Sequence, residues 1–142
     1  MAITTALCSS FKQEILVATH DLTNSSGDTI KAALFTSSAT LGAATTAYAV
    51  TNEISGAGYS AGGNTLTNVT PVLSSTTALC DFNDTSWAAA TFTANGMLIY
   101  NSSKSDKALS VHAFGGDKSV TGGTFTVQFP AADASNAIIR IA

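Results

Sequence analysis

The chain has 142 residues, a length that suits one domain able to bury a real core and that leaves no room for two well-formed ones. Charged residues make up 11% of it, against about 25% in ordinary globular proteins, and apolar residues 45%, so much of the surface must be Ser, Thr, Asn and Gly. The net charge of -3, with Arg140 the one arginine among six cationic residues, provides no basic stripe to follow a nucleic-acid backbone.

At the N-terminus, "MAITTALCSSFKQEILVATH" has no basic n-region and no small-residue cleavage site, so a secretory signal is not expected and synthesis in the cytoplasm is. No apolar run approaches the ~18 residues of a membrane span. Within this segment Leu7, Phe11, Ile15 and Ala18 recur at helical spacing, with Cys8 beside them and Lys12, Gln13 and Glu14 on other faces. The spacing predicts a helix inside residues 1–20, with Thr4 or Thr5 capping its first turn. His20 falls just past it, where a cation suits the helix dipole, and a plain surface role is expected. Cys8 and Cys80 lie far apart in a chain that needs no staple, and both read as buried thiols rather than a disulfide.

After the turn cluster "LTNSSGD" the pattern changes to short apolar runs separated by Gly, Ser and Asn. Eight strands are expected: "TIKAALFT", "AYAV", "NTLTNVTPVL", "TALCDF", "AATFTANGMLIYN", "ALSVHAF", "GTFTVQF" and "AIIRIA". The fold class is mainly β, an antiparallel, jelly-roll-like β-sandwich with one N-terminal helix, in a single domain over 1–142.

Several stretches invite a chemical reading. "ISGAGYSAGGNTLTN", with Gly56, Gly58, Gly62 and Gly63, is dense enough in glycine for a nucleotide loop, but no strand-to-helix context follows it. Positive φ in a mobile loop, with binding or assembly contacts, is the better account. "CDFNDTSW" places Asp81 and Asp84 around Asn83 like the start of a calcium loop, yet Ser86 and Phe92 stand where Gly and Glu belong. A turn with Asx side chains bonding the backbone fits better. Trp87 with Tyr48, Tyr59 and Tyr100 could stack on sugar rings, but Trp87 beside a long apolar run is expected in the core. The triplets at Asn24, Asn68, Asn83 and Asn101 follow from a chain rich in Ser and Thr and carry no expectation of glycosylation.

"AFGGDKSVTGGTFTVQFP" is the most motif-like stretch. A phosphate loop needs Gly-Lys-Ser/Thr opening a helix, whereas Lys118 follows Asp117 and the next segment alternates as a strand. Phe125, Val127 and Phe129 share one face, with Thr124, Thr126 and Gln128 on the other. "ALSVHAF" sets Leu109 and Val111 against Ser110 and His112, leaving His112 on a polar face in a surface role. Two such strands around "GGDKSVTGG" predict a hairpin with a long glycine-rich tip in which Asp117 and Lys118 are turn residues. No catalytic, cofactor-binding or metal-ligating residue is assigned, no cofactor is expected, and the chain is read as not an enzyme.

The phrases "MAITTALCSSFKQEIL", "TNEISGAGYSAGGNTLTNVTPVLS" and "FGGDKSVTGGTFTVQFPAADASNAIIRIA" resemble small structural proteins of tailed bacteriophages. In size and all-β pattern the chain is similar to capsid cement, or decoration, proteins. That resemblance implies a non-enzymatic virion component on the outside of the shell, with the major capsid protein and further copies of itself, as dimer or trimer, for partners. Two other readings stay open: a tail-associated adaptor or fibre component, and a carbohydrate-binding module for host attachment, which needs Trp87 or Tyr59 exposed.

Overall fold

The structure, a computed structural model, describes residues 2–142. In chain order its elements are β1 (Ala6–Leu7), α1 (Ser9–Leu16), β2 (Ile30–Phe35), β3 (Asn64–Thr65), β4 (Asn68–Ser74), β5 (Thr77–Phe82), β6 (Thr85–Asn101), β7 (Lys107–Val127) and β8 (Ile139–Ile141). They form two antiparallel sheets, five-stranded in the order β1-β7-β6-β2-β3 and three-stranded in the order β4-β5-β8. The expected mainly-β sandwich with one helix is what the chain adopts. Leu66, Cys80, Phe82 and Ile139 join Leu34, Leu98, Leu109 and Trp87 in one buried cluster, so both sheets share a core.

The helix is shorter than its spacing predicts. Ala6 and Leu7 are drawn into an antiparallel pair with Val111 and Ser110, which holds the chain extended up to Cys8. Cys8 is therefore the N-cap, without a side-chain cap bond, and Thr5 Oγ1 instead accepts from the Ala113 amide. The capping expected of Thr4 or Thr5 is overturned because β7 offers an unpaired edge that a local pattern cannot reveal. One face of α1 buries Phe11 and also Glu14, which had been expected to face away. The helix ends as Ala18 turns left-handed at φ 56°.

Of the expected strands, "TALCDF" is found whole, "TIKAALFT" and "AIIRIA" with trimmed ends, and "AATFTANGMLIYN" extends back to Thr85. "NTLTNVTPVL" is split between the two sheets as β3 and β4. "AYAV" forms no strand and contributes one bridge, Ala47 to Lys107.

The largest correction concerns the hairpin. "ALSVHAF" and the first five residues of "GTFTVQF" are the two ends of a single strand, β7, which runs antiparallel to β6 and stops at Val127, short of Gln128 and Phe129. Its glycines sit in bulges rather than at a tip. Gly96 faces Ala113 and Ala94 faces Lys118, so Phe114–Asp117 bulge out opposite Asn95 alone. Further on, Ala90 faces Gly123 and Phe92 faces Val120, leaving Thr121 and Gly122 opposite Thr91. Gly115 and Gly122 have φ of 74° and 60°, values that a turn and a bulge both need, so composition alone reads either way.

Candidate functional site

Side chains able to do acid–base work are gathered into two interior networks. In the first, the His20 side chain is fully buried, with Nε2 2.8 Å from Glu14 Oε2 and Nδ1 2.9 Å from Asn101 Nδ2. An amide nitrogen only donates, so Nδ1 accepts and the imidazole proton sits on Nε2, facing the Glu14 carboxylate. Asn101 gives its other N–H to Asp28 Oδ2 at 2.7 Å, and its oxygen accepts from the Ser103 amide. Lys107 reaches Glu14 at 2.6 Å and Lys104 reaches Asp28 at 3.6 Å. Burial pushes the Glu14 and Asp28 carboxyls up, but their hydrogen bonds and cationic neighbours outweigh it and hold both below the ordinary range. The surface role expected of His20 is thus overturned: turning left-handed at Ala18, the chain brings its ring against Phe11, 5.1 Å between centroids.

The second network centres on Glu53. Its carboxylate accepts from the hydroxyls of Tyr48 (2.7 Å) and Tyr59 (2.6 Å) and from the Gly62 amide (2.8 Å). Tyr59 in turn accepts from the Leu34 amide, and Tyr100, stacked on Tyr48 at 4.6 Å, donates to Gly62 O. These bonds seal the outer edge of β2. Burial, then the carboxylate beside them, raises the Tyr48 and Tyr59 hydroxyls, and burial with nearby acidic groups moves Tyr100 to about 12. The glycine-rich loop has the positive φ expected of it, and its end at Gly62 and Gly63 packs against β2. Gly63, at φ 70°, lies so close to β2 that a Cβ would stand 1.8 Å from Ala32 O.

The remaining candidates disperse. His112 is half-buried beside Ser110, with 2.9 Å between Nε2 and Oγ, and burial depresses it to about 4, so it is not the surface histidine expected. Asp81 is fully buried in β5, one oxygen accepting from Phe82 N and the other without a hydrogen-bond partner, while Asp84 accepts from Phe129 N. Desolvation raises the Asp81 carboxyl despite the Phe82 and Ile138 amides near it. Among the described residues no cluster of His, Cys, Asp and Glu is placed to hold a metal ion, and no helix is long and apolar enough to cross a membrane. Cys8 and Cys80 are free and buried as expected, and burial lifts their thiols to about 11 and about 12. Trp87 is 3% exposed and packs on Tyr59 and Phe125, the core position expected of it. Asn68 and Asn101 are buried, which closes two of the four glycosylation triplets. Asp117 is a bulge residue accepting from Asn95, and Lys118 begins the next paired stretch.

One accessible surface is apolar. A groove of about 500 Å³ runs between the end of α1 and the three-stranded sheet, lined by Ile15, Ala18, Leu22, Pro71, Leu79 and Ile139 among others. Leu73, Ala78 and Ile141 stand abreast across that sheet, with Leu73 72% and Ile141 55% exposed. Leu16 and Val17, next to the groove-lining Ile15, are 83% and 65% exposed. Sequence reading missed this surface because its residues come from four separate segments. Its one local trace is "TPVLSSTTA", an uncharged strand pair exposed at every position but Thr77.

Compared with protein families, with curated proteins and with solved structures, the chain matches none.

Proposed function

We propose that the chain is a non-enzymatic structural protein of a virion, a cement protein that docks on the outside of a capsid shell and stabilises it by bridging neighbouring subunits. The observation that supports this reading is the pairing of saturated interior networks with an exposed apolar surface. Glu14, His20, Asn101, Asp28 and Glu53 spend their hydrogen bonds on one another and on the backbone, while Leu16, Val17, Leu73 and Ile141 face solvent around a groove. Contiguous exposed apolar surface marks docking sites. Docking through it would strip water from few charges, so the area it buries translates into binding with little desolvation cost. The major capsid protein is the proposed partner, joined by further copies of this chain, with synthesis in the host cytoplasm and residence on the particle. A jelly-roll-like sandwich, common among viral shell proteins, accords with the two-sheet fold.

Quantitative mass spectrometry of purified particles tests the reading: hundreds of copies per particle are expected, and absence from mature particles rejects it. Co-sedimentation with shells stripped of the protein tests the surface. Replacing Leu73 and Ile141 with Ser should leave the melting temperature close to wild type and weaken binding at least tenfold, and unchanged binding would move the docking site elsewhere.

A further inference from the structure

The outer edge of β7 is covered in its first part and bare afterwards. Ala47 bridges Lys107, Thr46 O accepts from Ala108, β1 pairs with Ser110 and Val111, and Thr5 takes the Ala113 amide. From Phe114 to Val127 that edge has no strand neighbour and no main-chain hydrogen bond from the described residues beyond β6. Part of the bare edge is blunted: the Phe114–Asp117 bulge, the positive φ of Gly115, Gly116 and Gly122, and Lys118 all discourage pairing. Beyond Gly122 the stretch has no charge, no proline and no positive φ of its own until Pro130. The seven residues between, "GTFTVQF", are uncharged and rich in aromatic and β-branched side chains; β7 itself ends at Val127, with Gln128 and Phe129 continuing the chain beyond it, and β6 bulges at Ala88 and Ala89 opposite Thr124.

We propose that this edge pairs with the same edge of a second copy, antiparallel about a two-fold axis through Thr126, to make one continuous sheet across a dimer. Thr126 is the midpoint of the uncharged run Gly123–Phe129, so this register keeps clear of Gly122 and Pro130, with Gln128 and Phe129 extending β7 by two residues when the partner strand pairs with them. Every pairing it creates is favourable in kind. Phe125 meets the partner's Val127, an aromatic against a β-branched residue, and Thr126 meets its own copy, hydroxyl to hydroxyl. Thr124 meets the partner's Gln128, and the partner's Phe129 covers Gly123. The stretch carries no charge, so no like charges face each other across the pair. Beside the edge lies a hollow of about 400 Å³ lined by Phe114, Lys118, Phe125, Thr126, Val127 and Gln128. The incoming strand lies across it, and an interface of this isologous kind closes on itself, which prevents fibre growth.

This deepens the self-association part of the function proposed above and does not depend on the capsid, so it is tested on purified protein alone. Sedimentation equilibrium should give twice the 14.4 kDa of one chain. Thr126→Lys puts two ammonium groups opposite each other at an exposed position and should return the mass to that of one chain with an unchanged circular dichroism spectrum. A short bis-maleimide should link Thr126→Cys into a covalent dimer and leave Thr124→Cys unlinked, since two copies of residue 124 lie about 13 Å apart in this register. The native thiols are buried and stay out of the reaction. A monomeric wild type, a Thr126→Lys dimer, no linkage of Thr126→Cys, or equal linkage of both cysteine variants would each overturn the proposal. Loss of shell binding with the dimer intact would count against the capsid reading alone.

Discussion

The two halves of β7 share one backbone run and one partner strand, yet they live in different environments. From Ala108 to Val111 every side chain is buried, including Ser110 on the face that alternation marks as polar. From Thr124 to Phe129 the alternation survives intact, with Phe125, Val127 and Phe129 half-buried and Thr124, Thr126 and Gln128 exposed. Period-two patterning therefore reports which face is more apolar, not whether the other face meets water. The inner half is covered on its edge by β1 and on one side by α1, and Ser110 and His112 are tolerated there because they bond each other.

The sharpest way to break this comparison is to remove one apolar side chain from each half. Leu109→Ala empties a site with no exposure and should cost about 2–5 kcal/mol. Phe125→Ala removes a larger ring, but one that solvent already reaches at its edge, and should cost about 1–3 kcal/mol. Urea melts of the two variants measure the difference. A greater loss for Phe125→Ala would mean that the outer half, not the inner, anchors the ribbon.

Acid should find the inner half first. His112 titrates at about 4 when folded, through burial, against 6.5 when unfolded. Between these values the unfolded chain binds a proton that the folded chain refuses, so stability falls as pH drops from about 6.5 to about 4 and levels off below for this group. The loss reaches at most about 3 kcal/mol. Glu14 and Asp28 act in a lower window: with folded values below their ordinary ones, they stabilise above that range and lose the contribution as pH falls through it. Urea melts from pH 7 down to about pH 2 on wild type and His112→Gln separate the two, since the variant should lack the upper slope and keep the lower one. An identical upper slope in both would move the proton uptake to another group.

The sequence made the outer half more legible than the inner. Phe125, Val127 and Phe129 declare their face because each acts through its immediate neighbours along the strand. The fate of Ser110 and His112 depends on segments about a hundred residues away, which no local period records. The same holds for the first network, where Glu14 and Lys107 meet across 93 positions and His20 and Asn101 across 81. Gly115 and Gly116 show a subtler limit. Their need for positive φ was readable, but whether that φ turns the chain or bulges it is decided by β6, through the pairs at Ala113 and Lys118.

That reading of the glycines can be sharpened. Gly115 has φ 74° and nothing within 4 Å of where a Cβ would stand, so Gly115→Ala meets backbone strain and no clash. It should cost roughly 1–2 kcal/mol, the penalty for holding an L-residue left-handed. A loss near 4 kcal/mol would show that the bulge is packed against something it does not touch here.

The smallest effect belongs to the residues that first looked like chemistry. Asp117 and Lys118 are exposed, and among the described residues their side chains make one hydrogen bond, the 2.8 Å contact from Asn95 to Asp117. Replacing both with Ala should change stability by no more than about 0.5 kcal/mol, as for most exposed positions. The double variant still bears on the comparison, because Lys118 is the one cation on the bare edge of β7, where a charge discourages pairing with other chains. Removing it should leave the melt unchanged while lowering solubility, by opening the edge above Gly122 to contacts that the wild-type chain avoids. Light scattering against concentration measures that. Equal solubility with and without Lys118 would mean that the bulge alone protects this stretch, and that its twist rather than its charge keeps the outer half of β7 from pairing along its full length.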